Sequence, residues 1–273
     1  MNPDGSAPAR LSVVPDVQSD DERRFGGLRR LYGDAGYARL RAARIAVVGL
    51  GGVWSWAAEA LGRSGVAMLR LIDLDQVSES NVNRQVQALG TTLGIAKGEA
   101  LSRRLADIHP SGHRQVIDEF VTTDNVQSLL AGPLDAVIDA CDDGRAKLAM
   151  AHWCRMQGLP LVVCGAAGGK RRPQAIEVAD LAGVTHDPLL ARLRQRLRKA
   201  LELRTDQTLG VICVFSREPV ALPAGDAACA PDGSLNCAGY GSSVAVTASF
   251  GLAAAAWVIE QVVRPVQEKT TPS

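Results

Sequence analysis

The sequence predicts an α/β fold: a doubly wound, mostly parallel sheet with added antiparallel strands and an apolar helix at the C-terminus. Three observations predict it. Short apolar runs alternate with segments of helical period from residue 44 to residue 164, a pattern that puts parallel strands in one sheet with helices on both faces. The run Val47-Val48-Gly49-Leu50-Gly51-Gly52-Val53 joins the first strand to the first helix of that series through a glycine turn. Such a turn leaves backbone N–H groups bare at a helix N-terminus, where a phosphate can sit. Acids end the second and fourth strands, at Asp73 and Asp139, and ligands of these sheets bind beyond the carboxyl ends of the strands.

The elements follow in chain order. Residues 1–20 carry Pro, Asp, Ser and Gly without periodicity, and a disordered tail is expected to about residue 22. Arg23 to Arg41 is basic and helix-compatible, broken by Gly26-Gly27 and Gly33. Strand 44–48 leads to a helix at 52–63, and strand 67–73 leads through a long loop to a helix at 96–108 stopped by Pro110. His109, before that proline, is placed to complement the helix dipole as a cation. Strand 114–119, a short helix near 124–130, strand 135–140, a helix at 143–157 and strand 160–164 complete the alternation. Beyond it come a basic turn at 168–173, a strand at 175–179, a basic helix at 187–203 and a strand at 211–215. A loop rich in Pro, Gly, Ala and Asp runs from 219 to 240, then the apolar helix at 242–263. One domain over 23–263 is expected, with the basic helix and loop inserted at about 180–240 and a flexible tail at 264–273.

Composition narrows the class. With 273 residues, 47% apolar and 4% aromatic, the chain can bury a large core filled by aliphatic side chains. A net charge of +1 provides no global field for nucleic acid or membrane, so any such partner needs a local patch. The six cysteines form no C-x-x-C pair, which argues against structural zinc. Residues 1–20 lack an apolar run, and reduced thiols in a cytoplasmic protein are expected. The last helix approaches the length of a membrane span. Its Ala, Ser, Thr and Gly content and Glu260 near its end favour a buried core or dimer helix, with no membrane partner.

A glycine turn and Asp73 serve NAD and ATP equally, because an acid there can hold both ribose hydroxyls. The segments that follow distinguish them. Asp75, Asn81-Val82-Asn83-Arg84-Gln85 and Lys97 at a helix start, with Asp139-Ala140-Cys141-Asp142-Asp143 after the fourth strand, bring cations and carboxylates toward one cleft. Hydride transfer has no use for paired cations beside the phosphates. Phosphoryl or nucleotidyl transfer does, since charge builds on phosphate oxygens in the transition state. The carboxylates would hold Mg²⁺, which takes few protein oxygens alongside substrate phosphates.

G-x-G-G, D-x-D, N-x-x-R, a helix-opening lysine and D-x-x-D-D together resemble the Rossmann-like adenylating enzymes related to ubiquitin activation. Within them the chain looks most like the tRNA threonylcarbamoyladenosine dehydratases. The carrying segments are residues 24–33, 81–85, 160–169, 187–189 with the basic helix, and 209–216, and the resemblance spans about 23–260. It implies that Gly49, Gly51, Gly52, Asp73 and Asp75 line an ATP site, with Asp73 on the ribose. Asn81, Arg84 and Lys97 would hold the phosphates and Asp142 the Mg²⁺, which makes Arg84, Lys97 and Asp142 the catalytic set. An arginine near the N-terminus, among Arg24, Arg29 and Arg30, would reach a partner subunit's phosphates, which implies a homodimer. The implied reaction adenylates the threonine carboxylate of a modified tRNA adenosine and closes a ring within that side chain, with net loss of water. A sulfur-transfer protein is a further implied partner.

Several readings stay open on the residues. Activators of sulfur-carrier or ubiquitin-like proteins share the adenylation site but usually carry paired C-x-x-C motifs, absent here. An NAD-dependent oxidoreductase leaves Asn81, Arg84, Lys97 and Asp142 idle, and a non-catalytic member of the fold would keep a degraded pocket. The helix at 187–203 could meet tRNA through its arginines. Equally, its stripe Leu189, Leu190, Leu193, Leu197 and Leu201 makes the arginines a solvated face. Trp54 stands where the resembling enzymes have glycine, and its ring is expected over the nucleotide or outward. Cys141 and Cys164 read as small fillers, whereas Cys229 and Cys237 lie in the polar loop and could be redox-sensitive or gate the site.

Overall fold

A computed structural model describes residues 20–221 and 240–264. The N-terminal tail, most of the polar loop with Cys229 and Cys237, and the C-terminal tail lie outside the described residues.

The strands are β1 (Arg44–Val48), β2 (Met68–Ile72), β3 (His113–Ile117), β4 (Ala136–Asp139), β5 (Leu161–Cys164), β6 (Ile176–Asp180) and β7 (Ile212–Ser216). They form one sheet in the order β3-β2-β1-β4-β5-β7-β6. All neighbours are parallel except β6, which runs antiparallel beside β7, so the antiparallel addition among the described residues is a single edge strand. The order reverses between β1 and β4, the switch point of a doubly wound sheet. Val48 pairs with Ile72 on one side and Asp139 on the other. The glycine turn, Asp73 and Asp139 therefore leave the sheet at one level.

Helices α3 (Trp54–Arg63), α4 (Lys97–Ile108) and α8 (Val244–Val263) cover one face, with Leu50, Leu61, Leu101 and Phe250 in its core. Helices α5 (Val126–Leu129), α6 (Gly144–Gln157) and α7 (Pro188–Ala200) cover the other, over Val48, Val163, Met150 and Phe215. The apolar helix α8 is long and apolar enough to cross a membrane by length and composition, yet it packs along α3. Val246, Phe250, Ala254 and Val258 are buried, while Leu252 faces out. Gly251 permits that packing: a Cβ there would collide with the Val53 carbonyl oxygen. The core-helix expectation holds for its inner face.

The expected break at the N-terminus is present as two helices, α1 (Asp21–Phe25) and α2 (Gly27–Ala42), with α2 kinked where Gly33 takes φ 68°. The Asp20 carboxylate accepts the Arg23 N–H at 3.1 Å and caps α1. Arg41 then ties α1 down through Asp21, the Gly65 carbonyl and His109, and Phe25 meets the His109 ring edge-on at 4.7 Å. This corrects the expected role of His109. Burial first, then neighbouring Arg41, hold its imidazole below the usual histidine range. The cation at the end of α4 is instead Arg24, which donates to the carbonyls of Asp107 and Ile108 at 3.0 and 2.9 Å.

A histidine kept neutral by the fold binds its proton more readily once unfolded. The stability it contributes is present above about pH 6.5 and is lost as pH falls toward its lowered native value. Tm measured from about pH 7.5 to about pH 5 falls more steeply for the wild type than for His109→Gln, which has no proton to gain; identical slopes exclude His109 as the source.

Candidate active site

A cavity of about 480 Å³ opens beyond the carboxyl ends of β1, β2, β4 and β5, within the size range of small-molecule sites. Its first wall is the glycine turn. Gly49 takes φ 82°, and a Cβ there would press on the Cys141 nitrogen at 3.1 Å and the Ala140 carbonyl carbon at 3.2 Å. A Cβ on Gly51 would meet nothing within 4 Å, so the turn shows bare backbone to the cavity. No side chain caps α3, which leaves its N-terminal amides for a ligand anion.

The second wall carries the charges. Asp73 is buried and accepts the N–H groups of Leu50 and Asp75. Burial pushes its carboxyl up, against the pull of Lys97 and those two amides. Lys97, the first residue of α4, is buried and paired with Asp75 at 2.6 Å. Arg84 lays its stem against Gly52 and donates to the Ser80 carbonyl at 2.7 Å and to Asn83 Oδ1 at 2.9 Å. Trp56 Nε1 in turn donates to the Arg84 carbonyl at 2.9 Å, which ties this loop to α3.

Of the residues singled out in the sequence, Gly49, Gly51, Gly52, Asp73, Asp75, Arg84, Lys97 and Asp142 line this one cavity. Asn81 does not. It is buried, and its Oδ1 accepts the Ser78 N–H at 3.1 Å, closing a local turn. Arg30 is exposed on α2, away from the cavity wall. Asp139 lies beneath the floor, fully buried and paired with Lys147 at 3.1 Å. Among the described residues no three His, Cys, Asp or Glu side chains converge as a metal site. Asp142 at the wall suits the sparse protein ligation that Mg²⁺ accepts when phosphates supply other oxygens.

Trp54 does not point outward. It is 1% exposed, packed into the core of the α3–α8 face, and it also lines the cavity. Close packing of α8 on this end of α3 encloses a side chain that sequence spacing alone would leave at a helix start.

Sequence reasoning missed the far side of the cavity, built by Gly165 to Gly168 and by the start of α7 with Pro188, Leu189 and Arg192. Asp187 joins them: one carboxylate oxygen accepts the Ala166 N–H at 2.8 Å and the other the Leu190 N–H at 3.0 Å, capping α7. A cap signal in Asp187-Pro188 was available, but not its second bond to a loop twenty-one residues away. Within α7, Leu190, Leu193 and Leu197 are buried, and two of the arginines are spent on backbone carbonyls. Arg194 donates to Val184 at 2.5 Å and Arg198 to Thr205 at 2.8 Å. Cys141 and Cys164 line the floor, and burial raises both thiols well above the usual cysteine range, so neither is poised as a nucleophile.

The switch-point cavity, uncapped helix and clustered cations define a nucleotide-binding α/β protein. The ThiF family model matches residues 26–272, and the chain belongs to the ThiF family. It is 41% identical to tRNA threonylcarbamoyladenosine dehydratase of Escherichia coli over 261 residues, 92% of this chain and 97% of that protein. It is 38% identical to tRNA threonylcarbamoyladenosine dehydratase of Haemophilus influenzae over 246 residues, 89% of this chain and 94% of that one. Crystal structures of the E. coli enzyme with ATP and with AMP match at TM-score 0.81 and 41% identity, covering 89% of this chain and 96% of theirs.

Because Trp54 is a core residue here, Trp54→Ala is expected to cost about 3–5 kcal/mol in urea unfolding. A loss below about 1 kcal/mol would show that the surrounding core does not depend on the ring.

Proposed function

We propose that the chain is an ATP-dependent dehydratase that cyclises threonylcarbamoyladenosine in a tRNA anticodon loop. The observation that carries the proposal is the gathering of Arg84, Lys97 and Asp142 around an uncapped helix N-terminus in a single cavity. Near-full-length similarity to enzymes of that name supports it. The bare amides of the glycine turn would receive phosphate oxygens and Asp73 the ribose hydroxyls. Lys97, held in place by Asp75, has further N–H donors to offer, and Arg84 stands on the same wall. Both would offset the charge that develops as the threonine carboxylate attacks the α-phosphorus of ATP and pyrophosphate departs. An atom of the same threonylcarbamoyl side chain would then capture the activated carbonyl, releasing AMP, an intramolecular step favoured by proximity. Mg²⁺, held by Asp142 and the phosphates, would supply further charge neutralisation.

We place the enzyme in the cytoplasm as a homodimer whose sites each take an arginine from the other subunit. Arg24 is spent on α4 carbonyls, and Arg29 pairs with Glu22 and Asp34 at 2.9 and 2.7 Å. Arg30 is exposed and forms no ion pair among the described residues, which makes it the candidate. On the tRNA side, Arg192, Arg196 and Lys199 recur at helical spacing on the exposed side of α7, flanking the buried Leu193 and Leu197. With Arg194 and Arg198 occupied, these three are the α7 cations that favour a phosphate backbone.

Incubation with ATP, Mg²⁺ and modified tRNA is expected to yield a nucleoside lighter by about 18 Da, one water lost from the activated intermediate. Lys97→Ala is expected to slow it by about 10²-fold or more; an undiminished rate would remove Lys97 from the mechanism. Mixing inactive Arg30→Ala and Lys97→Ala proteins in equal amounts is expected to restore about a quarter of wild-type activity, since half the dimers then hold one intact site. A mixture that stays inactive rules out Arg30 acting across subunits.

A further inference from the structure

Beneath the cavity floor lies an ion pair that the proposed chemistry does not use. Asp139 ends β4 and Lys147 stands in the first turns of α6, and both are fully buried. Three donors converge on Asp139 Oδ1: Lys147 Nζ at 3.1 Å, the Cys141 backbone N–H at 3.0 Å and the Cys141 thiol at 3.1 Å. Asp139 Oδ2 has no partner among the described residues. Stability gives little reason to keep such a pair. A buried ion pair is often matched by apolar residues of similar volume, and an unpartnered buried oxygen adds cost.

The pair's position gives a different reason. The Ala140–Cys141 peptide is the same one against which Gly49 is pressed. It also leads into Asp142 at the cavity wall, while Asp143 caps α6 through the N–H of Arg145 at 2.6 Å. One peptide thus touches the glycine turn on one side and carries the acidic loop on the other. Asp139 grips its N–H from below, and Lys147 grips Asp139. Burial would lower the Lys147 ammonium, but Asp139 and Cys141 outweigh it and hold it above the usual lysine range, so the grip stays charged.

We infer that Asp139, its charge balanced by Lys147, is a positioning residue for the nucleotide cavity: its hydrogen bond holds the 140–141 peptide in the register that aligns the glycine turn with Asp142. The inference rests on the nucleotide reading of the cavity. It requires affinity to follow the hydrogen bond to Cys141 rather than overall stability.

The test uses two double variants of the full chain, with Tm and ATP affinity both measured. Asp139→Leu with Lys147→Met removes the charges and the acceptor, and is expected to fold but bind ATP about tenfold or more weakly. Asp139→Asn with Lys147→Met removes the charges but keeps an acceptor for Cys141, and is expected to recover most of that loss. A Leu/Met variant with wild-type Tm and wild-type ATP affinity overturns the inference, as does an Asn/Met variant that recovers nothing. Amide hydrogen exchange in the wild type covers the case of a Leu/Met variant that does not fold. Cys141 N–H exchange only through global unfolding supports the clamp, and exchange at the rate of an open loop overturns it. Wild-type protein that binds no ATP counts against the nucleotide reading alone, because the exchange measurement needs no ligand.

Discussion

The site depends on one close approach. Gly49 leaves β1 in a left-handed conformation that L side chains rarely adopt, and a Cβ there would press on the Ala140–Cys141 peptide at 3.1 to 3.3 Å. Parallel pairing of Val48 with Ile72 and Asp139 sets the height at which the three segments leave the sheet. The glycine contact then sets how near the first and fourth connections stand. Asp73 receives the Leu50 N–H across the resulting gap, so one turn links the ends of three strands. A bulkier residue at 49 would part the two walls while leaving the sheet itself free to form.

Around that contact, carboxylates act as backbone fasteners. Asp73 accepts from Leu50 and Asp75, Asp139 from Cys141, Asp143 from Arg145 and Ala146, and Asp187 from Ala166 and Leu190. Each satisfies N–H groups that a strand-to-loop exit would otherwise leave unpaired near the cavity. The cations are distributed by the same logic. Arg24, Arg194 and Arg198 cap carbonyls and are structural, while Arg84 and Lys97 stay on the cavity wall. In a chain with nearly balanced charge, which cations face the cavity is set by this allocation, not by the total.

Much of this was legible in the residues. Strand–helix alternation, the glycine turn and the acids at strand ends depend on local spacing, and β1, β2, β4 and α4 lie within a few residues of where periodicity puts them. Seven of the eight singled-out residues that line the cavity follow the carboxyl end of a strand or precede or open a helix, positions that the fold class makes neighbours, while Arg84 reaches it from the long loop between β2 and α4. Asn81 escaped the pattern: an asparagine in a tight turn can serve its own backbone, and this one does. His109 escaped it because its burial is set by Phe25 and Arg41, far away in sequence.

By itself, then, the sequence determined the doubly wound class of the sheet and the residue types gathered at its carboxyl edge, since these follow from short-range periodicity and turn chemistry. Tertiary structure decided the rest. It turned Trp54 into core through α8, nearly two hundred residues away, and spent Arg194 and Arg198 on nearby carbonyls. It also buried Lys147 against Asp139 beneath the site. The reason is the same in each case. A side chain's environment is set by whichever distant surface packs onto it, and spacing along one segment carries no information about that surface.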